Sequence, residues 1–210
     1  MRTVPDVCKR SVAQAVLIST TWAGAGVSQP SLVINEVDYD QPGPDIAEWI
    51  ELKSRIDTIL ITEGWELILY DGDLSGHCVE YCRVDLSPIG FIGEQGIVLI
   101  GAHQYAELPL CSSVDAIQNG SPDAIALFVN GILVDSVEYA SDRMSTVCSY
   151  YLTNAVDSAV VPGSMSRCLG AIRWRFAVST PGEENDCTTP TDVPEPPGGA
   201  TFTLVKSLYR

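Results

Sequence analysis

Two β-rich stretches, residues 124–129 and 132–139, are separated by Asn130-Gly131 and nothing else. Asn-Gly accepts positive φ at both central positions of a type I′ turn, whose twist matches that of two paired strands. The segment is therefore expected to be an antiparallel hairpin. Much of the chain repeats this grammar. Residues 32–37 are rich in branched side chains, residues 49–52 alternate apolar and polar, and residues 66–70 run into the turn signal Asp71-Gly72-Asp73. Residues 79–86 alternate loosely, and residues 97–100 are a continuous apolar run between Gly96 and Gly101. Trp174-Arg175-Phe176 reads as a last strand before Pro181-Gly182. No stretch sustains a helical period, and no internal repeat is seen. Short strands with frequent turn signals predict an all-β domain, a β-sandwich or barrel, over residues 31–187.

The chain has 210 residues, 46% of them hydrophobic and 19% charged, which is enough apolar material for a core that does not depend on cysteines. Its formal charge of −15, from 12 Lys+Arg against 27 Asp+Glu, argues against nucleic acid, which needs a basic footprint. The same charge argues against docking on anionic lipid.

Both ends differ from the body. Arg2, Lys9 and Arg10, an apolar stretch over residues 11–22 and the small-residue site Ala23-Gly24-Ala25 predict a signal peptide over residues 1–25. That stretch is too short to span a membrane, so no membrane span is expected. Residues 188–199 hold four prolines and two glycines and read as a stiff linker. Residues 200–210 form a tail that looks like the start of another strand.

Cys8 falls in the leader, leaving Cys78, Cys82, Cys111, Cys148, Cys168 and Cys187. An even count in an exported chain predicts three disulfides. On one regular strand Cys78 and Cys82 would lie about 13 Å apart on one face, too far to bridge each other. Cys168 and Cys187 flank the last strand and are plausible partners; the other pairings stay open. The competing reading is a zinc site built from His77, Cys78, Cys82 and Cys111.

Signals for catalysis are weak. The two histidines, His77 and His103, stand apart, and there is no Gly-x-Ser-x-Gly elbow. Carboxylate pairs are expected by chance in so acidic a chain. No glycine-rich phosphate loop implies a nucleotide, so no cofactor is expected. The densest acidic group, Glu36, Asp38, Asp40, Asp45 and Glu48, offers oxygen ligands for calcium on a loop rim but lacks an EF-hand spacing.

The order of the motifs resembles the lamin tail domain family. Ile34-Asn35-Glu36 and Glu48-Trp49-Ile50-Glu51-Leu52 look like its opening. Gly64-Trp65-Glu66-Leu67, residues 120–127 (GSPDAIAL), Val134-Asp135 with Tyr139, and Ser164-Met165-Ser166-Arg167 follow in family order. Trp174 and then Thr180-Pro181-Gly182 with Asn185 look like its close. The chain departs at Lys53-Ser54, where an asparagine commonly follows, and in its six cysteines. The resemblance implies an immunoglobulin-like β-sandwich, bacterial export and no catalytic residues. Phe202, Leu204 and Tyr209 after the linker resemble the opening of C-terminal sorting domains, with the chain ending before their Asn-Pro-Phe.

The sequence thus predicts an acidic module at the cell surface or secreted, not an enzyme, that binds a protein or glycan of unread identity. Two alternatives are an accessory domain split from a secreted nuclease or phosphoesterase, and the small zinc protein. Trp49, Trp65 and Trp174 are expected to be buried, and Asn35, Asp135 and Arg167 to be fold determinants held by hydrogen bonds.

Overall fold

The structure is a computed structural model. It describes residues 30–44, 46–72, 77–112, 115–119, 122–139, 148, 157–158, 160–168 and 174–188. The expected leader, most of the linker, the tail and Asp45 lie outside the described residues.

Eleven strands are described: β1 Leu32–Asp38, β2 Trp49–Ser54, β3 Leu60–Ile61, β4 Trp65–Gly72, β5 Cys78–Asp85, β6 Phe91–Ile92, β7 Ile97–Gly101, β8 Asp123–Val129, β9 Ile132–Tyr139, β10 Ser164–Arg167 and β11 Trp174–Ala177. They make a five-stranded sheet in the order β11-β10-β1-β2-β7, a four-stranded sheet in the order β5-β4-β8-β9 and a small β3-β6 pair. The named strand pairings are antiparallel. The fold is a β-sandwich, as the strand grammar predicted. The hairpin turn has φ of 50° at Asn130 and 75° at Gly131, the positive pair that a type I′ turn needs.

One apolar core lies between the large sheets. Leu32, Ile34, Val37, Ile50, Leu52, Val98, Ile100 and Met165 face it from one side. Leu67, Leu69, Val84, Ile125, Leu127, Val137 and Tyr139 face it from the other. Each such side chain, fully buried, contributes about 1.5–3 kcal/mol. Trp65 and Trp174 join this core, whereas Trp49, 2% exposed, packs edge-on to His103 at 6.0 Å. All three tryptophans are buried, as expected.

Two bulges decide where the polar side chains go. In β1 the register steps from Ile34↔Leu52 to Glu36↔Glu51, so Asn35 is an extra residue. A bulge bends its strand and re-aims side chains. Ile34 and Val37 therefore both reach the core, and Glu36 points to the far face of the sheet. In β5 the register steps from Leu69↔Cys82 to Tyr70↔Glu80, which makes Tyr81 the extra residue. Cys82 then faces the core, 2% exposed, while Cys78 falls out of phase with it. The regular-strand expectation, both cysteines on one face, is corrected by that bulge.

Candidate functional site

The outer face of the five-stranded sheet carries a buried polar network. Glu36 on β1 and Glu51 on β2 are direct cross-strand partners, and both are fully buried. A segment arriving about 130–150 residues later lies over them. Thr180 donates its backbone N–H to Glu36 Oε1 at 2.9 Å and its hydroxyl to Oε2 at 2.8 Å. Ser164 on β10 donates its hydroxyl to the same carboxylate. Glu51 accepts the Gly182 N–H at 2.8 Å and the Asn35 amide at 2.6 Å. The Asn185 amide donates to the backbone oxygens of Asn35 at 3.0 Å and Arg167 at 2.7 Å, and its own oxygen accepts from Asn35 at 2.8 Å.

Burial disfavours charge on these acids. It pushes Glu51 up to about 7, with the neighbouring Glu36 charge adding to the effect and the Asn35 and Gly182 hydrogen bonds opposing it. Burial also raises Glu36, against the hydrogen bonds from Ser164 and Thr180.

A second polar contact ties the two sheets together. Arg167 on β10 donates through one nitrogen to both Asp135 oxygens on β9, at 3.0 and 2.7 Å. Asp135 also accepts the Ile34 N–H at 2.8 Å, and the guanidinium lies 5.0 Å from the Trp174 ring centre. The three residues expected to determine the fold, Asn35, Asp135 and Arg167, all hold strands together through hydrogen bonds.

Other buried acids do the same work on loops. Glu48 accepts the backbone N–H groups of Ala116 and Ile117. Asp157 accepts those of Tyr39 and Asp40, at 2.8 and 3.3 Å, and burial pushes it up to about 8, with Asp38 adding repulsion. Glu138 accepts the Cys148 N–H at 3.0 Å.

This changes the reading of the acidic cluster. Glu36 and Glu48 are not on a rim: they are buried and face N–H donors, which would compete with a cation. Asp38 accepts from Gln41 at 2.8 Å. Among the described residues no group of three or more His, Cys, Asp or Glu is placed to hold a metal ion.

Three disulfides join Cys78 to Cys148, Cys82 to Cys111 and Cys168 to Cys187. The expected Cys168–Cys187 pair is present. The zinc set is overturned, because Cys78, Cys82 and Cys111 all carry their sulfurs in disulfides and cannot be thiolate ligands. His103 accepts the Tyr105 N–H on Nδ1 and packs on Trp49 and Tyr105 rings.

Beside the polar network lies a cleft of about 250 Å³. Lys53, Arg55 and Arg167 line it together with Asn35, Glu184 and Asn185. Lys53 meets Glu184 at 2.5 Å, with side chains 14% and 65% exposed respectively. Arg167 Nε is buried with no hydrogen-bond partner among the described residues. Sequence reasoning missed this cleft. Its residues come from β1, β2 and the residue after it, the turn before β7, the end of β10 and the segment after β11, and no local motif links them.

No family model and no curated protein matches the chain.

The motif acids are enclosed and engaged with backbone donors. The cleft is the place where polar side chains meet solvent beside that network.

Proposed function

We propose that this chain is an exported, non-catalytic interaction module with an immunoglobulin-like sandwich of the lamin tail kind. The observation that carries the reading is the set of three disulfides laid over an already complete apolar core. Disulfides form and persist in oxidising compartments outside the cytosol. No described helix is long and apolar enough to cross a membrane. The basic, apolar, small-residue pattern at the N-terminus points the same way.

The family reading is supported by where its motif residues meet. Asn35, Glu36, Glu51, Ser164, Thr180, Gly182 and Asn185 come from four separate motifs and form one hydrogen-bonded network. Asp135, from a fifth motif, and Arg167, from the same motif as Ser164, form the inter-sheet pair. Such a network is a reason for the motifs to be structural, and it supports binding over chemistry. Buried carboxylates already aimed at backbone N–H groups are poorly placed to act as acid or base on a substrate.

Intact mass before and after reduction tests the reading, on protein made with its own N-terminus in an export-competent host. The expected result is loss of the first ~25 residues and a gain of about six mass units on reduction, two per bridge. Retained Met1 together with free thiols overturns it.

A further inference from the structure

The closing segment follows β2 in step. Gly182 donates its N–H to Glu51, and two residues further on Glu184 meets Lys53, which stands two residues beyond Glu51 on the same face of the strand. The neighbours of Glu184 are fixed. Asn185 is held to the backbone oxygens of Asn35 and Arg167, and Cys187 is bridged to Cys168. Glu184 differs from them: its side chain is 65% exposed, with Lys53 as its ionic partner. An ion pair with one member in solvent is weak. The Glu184 carboxylate can therefore leave while the segment that carries it stays in place. Lys53 cannot follow, because its side chain is only 14% exposed, and a charge so enclosed needs an anion beside it.

The surroundings set what kind of anion fits. The chain carries 12 Lys+Arg against 27 Asp+Glu, yet Lys53, Arg55 and Arg167 line one cleft of about 250 Å³ in which Glu184 is the one carboxylate. The amides bordering the cleft are spent within the protein. Asn35 donates to Glu51 and Asn185, Asn185 to two backbone oxygens, and Gln95 to Asp57. Charge is thus what the cleft has to give. Glu184 shows the shape that suits it, a carboxylate on a polypeptide side chain reaching Lys53 from the solvent side. The formal charge of −15 acts against every further negative charge on a ligand, which favours one isolated acid over an acidic tract or a dianion.

We propose that this cleft is the docking point for a single acidic side chain of a partner polypeptide, with Lys53 taking its carboxylate and Glu184 serving as the built-in occupant that it displaces. The inference rests on the reading of the chain as an exported binding module and names the chemistry of its partner. In the bound state the partner's carboxylate replaces that of Glu184 at Lys53 Nζ as a charge-assisted hydrogen bond. Glu184 swings to solvent, and Asn185 and the Cys168–Cys187 bridge keep the closing segment where it is.

The test uses the disulfide-bonded protein and follows backbone amide NMR shifts. The probe is glutamate blocked at both backbone ends, N-acetyl-glutamate α-amide, which carries one free side-chain carboxylate. The controls are the equally blocked glutamine, of the same shape without the charge, and sodium phosphate. Blocked glutamate is expected to shift the Lys53 and Glu184 amides saturably in the millimolar range, as fits one charged group in a cleft open to solvent. Blocked glutamine is expected to give no saturable shift, and phosphate to bind more weakly than the monoanion. Glu184→Gln removes the competing carboxylate and is expected to tighten blocked glutamate several-fold. Lys53→Gln is expected to weaken it by about tenfold, the scale of a lost charged hydrogen bond. Arg55→Gln, at an exposed side chain, is expected to weaken it a few-fold and serves if the Lys53 variant does not fold. Equal binding of blocked glutamine overturns the charge part of the proposal, and equal or tighter binding of phosphate overturns the side-chain carboxylate as the ligand. Unchanged affinity in Glu184→Gln overturns the displacement. No saturable shift in either wild type or Glu184→Gln overturns the site. The mass measurement on the same sample stands apart from all of these, so a silent cleft on a correctly exported, bridged protein leaves the export reading intact.

Discussion

Glu36 and Glu51 are direct cross-strand neighbours with no solvent exposure, and both accept hydrogen bonds from one returning segment, at Thr180 and Gly182. Two like charges directly opposed in a sheet repel. The arrangement is tolerable because each carboxylate faces donors and because burial disfavours full ionisation of both. The pair fixes the strand β1, the strand β2 and the closing segment in one place.

Glu51 of that pair, together with Asp157, gives the fold an unusual pH dependence. Glu51 has an ordinary value of 4.5 and is pushed up to about 7 in the folded state, and Asp157 goes from 3.8 to about 8. Between the unfolded and folded values the folded chain holds protons that the unfolded chain has lost. Stability therefore falls as pH rises through that window. The melting temperature is expected to be several degrees higher near pH 5 than near pH 8.5, and Glu51→Gln should flatten the slope between pH 5 and 7. A melting temperature that climbs steadily from pH 5 to 8.5 would refute the argument.

The fold was more legible than the site. Residues 32–37, 49–52 and 97–100 carry their strand signal locally, through branched side chains, alternation and bounding glycines, and they are strands. The Asn130-Gly131 turn declares itself in two residues. The outer-face network has no such signal. Thr180 meets Glu36 across 144 positions and Asn185 meets Asn35 across 150, so only the third dimension joins them. The bulges hid the rest. One extra residue, Asn35, moves Glu36 from an expected rim to a buried face, and another, Tyr81, puts Cys78 and Cys82 out of phase. Cys168–Cys187 was readable because its residues flank one short strand at a separation of 19.

Breaking the inter-sheet pair should cost more than losing a surface ion pair. Arg167 and Asp135 are 13% and 12% exposed, so removing either leaves the other nearly enclosed. Asp135→Asn or Arg167→Met is expected to destabilise by about 1–3 kcal/mol, the cost of an unsatisfied buried partner. The double variant should recover part of that loss, because no lone charge remains. Denaturant melts of the four proteins form the cycle. Strict additivity of the two single losses would show that the contact couples nothing.

The three disulfides should not contribute equally. Cys78–Cys148 closes 70 positions and Cys168–Cys187 closes 19. The chain-entropy account gives about 4.4 kcal/mol for the long loop and about 3.2 kcal/mol for the short one. Cys78→Ala/Cys148→Ala is therefore expected to lower the melting temperature further than Cys168→Ala/Cys187→Ala. The reverse order would mean that the bridge near β11 acts through native contacts, with loop entropy secondary.

Asn185 tests whether the closing segment is part of the domain or a trailing end. Its amide reaches two backbone oxygens, of Asn35 and Arg167, and its oxygen accepts from Asn35. Both oxygens belong to strands of the five-stranded sheet, and the Asn35 oxygen sits at a bulge, where the regular ladder is interrupted. Asn185→Ala removes both donors at once and leaves those oxygens and the Asn35 amide short of a partner. A loss of about 1–3 kcal/mol is expected, with faster amide exchange at Thr180 and Gly182, whose N–H groups bond Glu36 and Glu51 beside it. Asn185→Asp keeps the shape but turns a donor into an acceptor facing two carbonyl oxygens, so it should be at least as damaging as alanine. If instead the aspartate variant matches wild type in melting temperature and exchange, the amide donors do not hold the segment. The burial of Glu36 and Glu51 would then need another cover.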